Sequence, residues 1–265
     1  AQPGFLHSFD WGGVGLLSAG VVTLLFYVSS RPITGAPPLQ DWRLLITALL
    51  LIGGFILWER RQTSPFISLE LFSRRLFTRA SLCAGLRMFP MSGIGFLLPL
   101  YLTDVRGMSA VWIGVTFVIH SSALLGTLRF GGQLADRLGN SRVPVVVGMT
   151  VQVGAMVTLA TLPANSAPSL VIIAIAAHGL GAGLALAALH RAAMGQIPQA
   201  EMGVAAGLYS MIRSIGTVLG IALGSVLLQQ GLDRGLPANE AYKAAYLFLA
   251  GVGFLGVVIG FTLRE

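Results

Sequence analysis

Eight times along this chain, about 15 to 25 residues pass with almost no charge. A bilayer core of about 30 Å needs roughly 20 helical residues at 1.5 Å each. Such stretches have no polar face to turn toward water, so they constrain the chain to an environment of lipid. The first runs over 11–30, and the second, over 44–58, is short but flanked by Trp42 and Trp58. The third covers about 80–103, interrupted by Arg87, and the fourth about 109–128. Residues 143–190 carry no charge except at His178 and His190, and the turn-rich segment 163–169 divides them into two spans. The seventh covers about 203–228, with Arg213 inside, and the last covers 244–263.

Composition agrees. Apolar residues make up 55% and charged residues 10%, against about 25% charged in a soluble domain. Mean hydropathy is +0.80. No alternating pattern of a membrane barrel is present. Helices remain, because the backbone must pair its own polar groups in lipid. The expected fold class is an all-α integral membrane protein of about eight transmembrane helices.

The net charge of +7 does not point to nucleic acid. The basic residues are single or paired between apolar spans, where they fit juxtamembrane retention and anionic headgroups. The single cysteine, Cys83, supports neither a disulfide nor a metal site. No phosphate loop, zinc motif or serine elbow is present, so neither an enzyme activity nor a cofactor is expected. The chain begins without methionine, which suggests a processed, cropped or incomplete chain.

Eight spans put both ends on one side. Taking that side as cytoplasmic, it receives Arg60, Arg61, Arg74, Arg75, Arg79, Arg129, Arg137, Arg142, Arg191 and Arg264. The outside receives Arg31, Arg43, Arg106, Arg234 and Lys243. The excess favours cytoplasmic ends. In the link 59–79, Phe66, Ile67, Leu69, Leu71 and Phe72 are candidates to lie in the membrane interface.

Small residues govern helix association in lipid. Gly216, Gly220 and Gly224 are spaced by four and share a face, and Gly256 and Gly260 repeat the spacing. Pro90 and Pro99 each remove a backbone donor from the third span. Arg87 and Arg213 are costly in a membrane and suit a cavity wall, structural pairing or snorkelling. His120 suits titration or a hydrogen bond to its serine neighbours, and His178 is comparable. No acid is clearly midspan, since Asp104 sits at an outer end and Asp136 in an inner loop. A carboxylate for proton coupling is therefore expected elsewhere.

The sharpest motif is that inner loop after the fourth span, Gly132-Gln133-Leu134-Ala135-Asp136-Arg137-Leu138-Gly139-Asn140-Ser141-Arg142. Gly132 permits close contact and Gly139 a tight turn. Asp136 is placed to meet a helix N-terminus or an arginine, and Arg137 and Arg142 to meet acids or headgroups. The motif resembles the signature of the major facilitator superfamily at Gly132, Leu134, Ala135, Asp136, Arg137, Gly139 and Arg142. There it joins the second and third helices of a six-helix half. Here it follows the fourth span, an offset similar to that of the fourteen-helix drug:proton antiporters, which insert two helices between their halves. Phe9 to Gly13, Glu59 with Ser64 to Phe72, Tyr101 to Ala110 and Gly203 to Ser225 resemble that group in order.

The resemblance implies a major facilitator-type bundle, present in part. Residues 1–79 would be two inserted helices and a cytoplasmic link, and residues 80–265 the C-terminal six-helix half. It implies proton-coupled export of drugs or other amphipathic small molecules across a bacterial inner membrane. Export of another small solute, or a non-transporting membrane scaffold or truncated remnant, is the alternative. The partners implied are substrate, protons, lipids and a missing N-terminal half. Gly132, Asp136, Arg137, Gly139 and Arg142 would form an inner gate, with Arg87, His120 and Arg213 as cavity candidates.

Overall fold

A computed structural model describes residues 10–28, 39–61 and 69–263. Phe9, Arg31, Ser64, Phe66, Ile67 and Arg264 lie outside the described residues, as does the side chain of Leu69. Eight helices among the described residues are long and apolar enough to cross a membrane. The chain divides into two compact units, Ala1–Ser73 and Arg74–Glu265.

The first unit contains α1 (Trp11–Val28) and α2 (Trp42–Glu59). They pack as an antiparallel hairpin. At one end the Tyr27 hydroxyl donates to the Leu39 carbonyl at 2.8 Å. At the other, Asp10 caps α1 by accepting the Gly13 N–H, and accepts the Trp58 indole N–H as well. A short 3-10 turn, Leu69–Ser73, closes the unit, with Leu71 buried and Phe72 exposed.

The second unit holds α3 (Arg75–Asp104), α4 (Ala110–Leu138), α5 (Arg142–Thr161), α6 (Pro168–Met194), α7 (Met202–Asp233) and α8 (Ala238–Gly260). Helix α6 packs between α4 and α5, α5 packs on α8, and α3 packs against α6, α7 and α8. Within α3, residues Gly93–Leu97 widen into a π turn between Pro90 and Pro99. Proline removes backbone donors, and a π turn is one way a helix redistributes the freed carbonyls.

Two differences from the sequence expectation have a common cause. Helix α8 begins at Ala238 rather than 244. Helix α4 does not stop near 128 but continues to Leu138, through most of the motif expected as a loop. Its 29 residues measure about 43 Å at 1.5 Å each, more than a bilayer core of about 30 Å. A charge marks where apolar surface ends, not where helical hydrogen bonding ends. The helix stops where Gly139 turns into the left-handed conformation that glycine adopts without strain.

Candidate functional site

Two constellations in the second unit carry the polar chemistry. The first lies where α4 turns into α5. Gly139 has φ 59° and ψ 20°, the left-handed region, where a side chain is strained. Its N–H donates to the Asp136 carbonyl at 3.2 Å, and the Asn140 N–H to the Ala135 carbonyl at 3.1 Å. This closes the helix end with its orphan carbonyls satisfied. The Asn140 side chain accepts the Arg142 N–H at 2.7 Å and starts α5.

Asp136 therefore stands on the last turn of a helix, not in a loop. Its partner is Arg191, near the end of α6, whose Nε donates to Oδ1 at 2.8 Å. Arg191 Nη1 also donates to the Ser141 hydroxyl at 3.0 Å. One guanidinium thus bridges the end of α4 and the start of α5 from a third helix. Arg142 lies over the Phe261 ring at 5.5 Å, just after α8. Arg137 is exposed. A methyl at Gly132 would make only an ordinary contact, 3.6 Å from Ala187. The neighbouring Gly131 is the tight position, since a Cβ there would strike the Leu184 carbonyl.

The second constellation lies inside the helices. Arg87 is 2% exposed. Its Nη1 reaches the Ala182 carbonyl at 3.4 Å and its Nη2 the Met88 sulfur at 3.8 Å, while Nε has no hydrogen-bond partner. Tyr209 and Arg213, one turn apart on α7, are its electrostatic neighbours. The Arg213 guanidinium lies 5.9 Å from the Tyr209 ring centre. His120 does not use its serine neighbours. Its Nε2 lies 3.1 Å from Nδ1 of His178 across the α4–α6 contact, both side chains being buried. His178 in turn is close enough to Arg87 to feel its charge. Arg87, His120 and Arg213 therefore belong to one cluster, completed by His178 and Tyr209. Arg87 and His120 are covered by the unit's own helices, and Arg213 is partly exposed.

Buried charge is costly to desolvate, and replacing even a paired buried charge by apolar side chains of similar volume is often neutral or stabilising by about 1–4 kcal/mol. Arg87→Met is accordingly expected to leave the melting temperature in detergent unchanged or higher. A large drop in that temperature would identify Arg87 as a structural pivot instead.

Sequence reasoning missed Arg191, which it counted only as a positive charge, and Tyr209. It gave His178 no partner. The available signal for Arg191 was its place on the same membrane side as Asp136, in the last turn of its helix. The glycine face of α7 lies against α3. A Cβ at Gly216 would strike the Gly85 carbonyl, one at Gly220 the Ser92 hydroxyl, and one at Gly224 would sit 3.3 Å from Leu97. At the C-terminal end of α3, Asp104 accepts the Tyr242 hydroxyl at 2.6 Å.

Comparison with known proteins sets these features in context. Residues 3–220 and 81–265 match the Major Facilitator Superfamily. The chain is 30% identical over 259 residues to a "Multidrug resistance protein B homolog" of Mycobacterium tuberculosis, covering 95% of this chain and 47% of that protein. It is 27% identical over 259 residues to the "Riboflavin transporter RibZ" of Clostridioides difficile, covering 95% and 55%. It is 28% identical over 234 residues to a "Tetracenomycin C resistance and export protein" of Streptomyces glaucescens, covering 88% and 43%. The chain thus spans about half the length of the curated relatives it matches. These relatives are named for transport or resistance, not for catalysis.

Proposed function

Since this chain belongs to the Major Facilitator Superfamily, we propose that it forms the C-terminal part of a fourteen-helix, proton-coupled exporter of drugs or other amphipathic small molecules. The observation that carries this reading is the collinear match, over 95% of the chain, to a multidrug resistance protein about twice as long. In this reading α1 and α2 are the inserted helices, and α3 to α8 are one half of the transporter. An N-terminal half completes the substrate path, which alternates access between the two halves. Both ends of this segment face the cytoplasm of a bacterium, in line with the arginine excess on that side.

Asp136, Arg137, Gly139 and Arg142, with Gly132 behind them, form the inner gate in this reading. Arg191 extends the gate, because its contacts hold the α4–α5 turn against α6. Arg87, His120 and Arg213 serve the substrate path. The riboflavin transporter among the relatives supports a second reading, export of another small solute by the same machine.

The test is flux through the complete protein in proteoliposomes with an imposed proton gradient. A lipophilic cation dye is expected to be driven against its gradient, and collapse of the proton gradient should stop it. Gradient-driven movement of riboflavin but not dye would replace the drug reading with the solute reading. Absence of both fluxes from folded, inserted protein would overturn export and favour a scaffold.

A further inference from the structure

Arg87 and Arg213 put two guanidinium groups within the spans of the second unit, and no acid among the described residues balances them. The described acids of that unit all stand at or near helix ends. Asp104, Asp136 and Asp233 lie in the last turns of α3, α4 and α7, Glu201 just before α7 and Glu240 in the first turn of α8. Each has a partner elsewhere: Tyr242, Arg191, Gln229, Arg74 and Lys243 in the same order. A charged side chain within a membrane pairs with another charge, leans on backbone carbonyls or marks the path of a substrate or ion.

The backbone does little for Arg87. Its contact with the Ala182 carbonyl is long, 3.4 Å, and its Nη2 meets the Met88 sulfur at 3.8 Å. Its Nε is buried and has no hydrogen-bond partner among the described residues. Nε and Nη2 share the edge on which a guanidinium grips a carboxylate through two parallel hydrogen bonds. That edge therefore holds no oxygen acceptor. Its neighbours on α7 repeat the pattern, since the Tyr209 hydroxyl and the Arg213 Nε are also buried without a partner. Both residues are near enough to Arg87 to act on it electrostatically. His178, bonded to His120, supplies no negative charge. Three donor groups thus lack an acceptor in one place, and two of them are cationic. An unmade buried donor is costly, more so when it is charged. Arg213 is partly exposed while Arg87 is covered, so an entering group would pass Arg213 first.

We propose that Arg87, Tyr209 and Arg213 form an anion site for the carboxylate of an amphipathic organic acid. The assignment rests on the reading of Arg87 and Arg213 as part of the substrate path, and names a chemical class for that path. It adds acids and zwitterions to the lipophilic cations of the flux test. A carboxylate brings both the missing charge and two acceptor oxygens at the spacing of the guanidinium edge. A halide brings the charge alone.

Thermal unfolding of the complete protein in detergent reads binding without transport, since a ligand that binds only the folded state raises the melting temperature. Sodium benzoate, at an ionic strength held constant with a bulky sulfonate, is expected to give a saturable rise. Benzyl alcohol, its uncharged analogue, should give none. The rise should vanish in Arg87→Met, and Arg213→Gln should need roughly tenfold more benzoate for the loss of one charge-assisted contact. A rise with sodium chloride and none with benzoate overturns the carboxylate assignment. No rise with either salt, or an equal rise in folded Arg87→Met protein, overturns the site. If that variant does not fold, benzoate against benzyl alcohol on the wild-type protein decides. Dye export without a benzoate response would remove the anion site and leave the exporter standing. A benzoate response without any export would keep the site and remove the transport reading.

Discussion

Gly183→Leu is expected to break the α4–α6 contact, whereas Gly126→Leu, on an exposed face of α4, is expected to be tolerated. A Cβ at Gly183 would strike the Leu124 carbonyl and the Thr127 hydroxyl of α4. A backbone carbonyl cannot rotate aside as a flexible side chain does, so the helices must separate. Separation would also break the hydrogen bond from the Thr127 hydroxyl to the Leu180 carbonyl, 2.9 Å long. Overpacking costs about 1–3 kcal/mol, and the rigid obstacle places this case at the upper end. The His120–His178 contact spans the same two helices and would be lost with it. Nothing lies within 4 Å of a Cβ at Gly126, which is exposed. Thermal unfolding in detergent separates the cases. Equal melting temperatures for the two variants would show that α4 and α6 do not depend on backbone contact.

The second large effect is expected on transport. Asp136→Asn should reduce flux of the complete transporter more than it reduces insertion or stability. The ion pair with Arg191 is partly exposed, with side-chain exposures of 71% and 33%. Exposed pairs contribute only about 0–1 kcal/mol to stability, so little of the fold depends on it. A gate is different, because its output is a ratio of two states. Differential contacts of about 1–3 kcal/mol shift such a ratio roughly 5- to 150-fold. Asparagine keeps the acceptor oxygen but removes the charge. Arg191→Gln should lower flux by a similar factor, and the double variant by less than the product of the two, since both remove one interaction. Strict multiplication would mean that the two residues act separately. Unchanged flux in Asp136→Asn would remove the ion pair from the gate.

The hydrophobic periods were legible because lipid imposes a local rule. Each span must be apolar over about 20 residues wherever its partners lie. The turn at Gly139 was legible for a similar reason, since one backbone angle excludes most side chains there. The extent of α4 was not, because charge marks the edge of lipid while hydrogen bonding marks the edge of a helix. The glycine face of α7 could be read as a face. That it meets Gly85 and Ser92 of α3 could not.

The polar partners show the same division. His120 had serines beside it in sequence but pairs with His178, and Asp136 had arginines beside it but pairs with Arg191. Asp10 and Glu59 were legible as parts of the family resemblance, not as neighbours in space. Sequence alone determined which segments are helical, that they suit lipid, and where the motif lies. Tertiary structure decided which side of each helix meets which neighbour, and so which buried polar groups find each other. The physical reason is that lipid exerts nearly the same pull on every apolar face. Helix pairing is then left to close backbone contacts and a few polar bonds, and these are properties of two surfaces together.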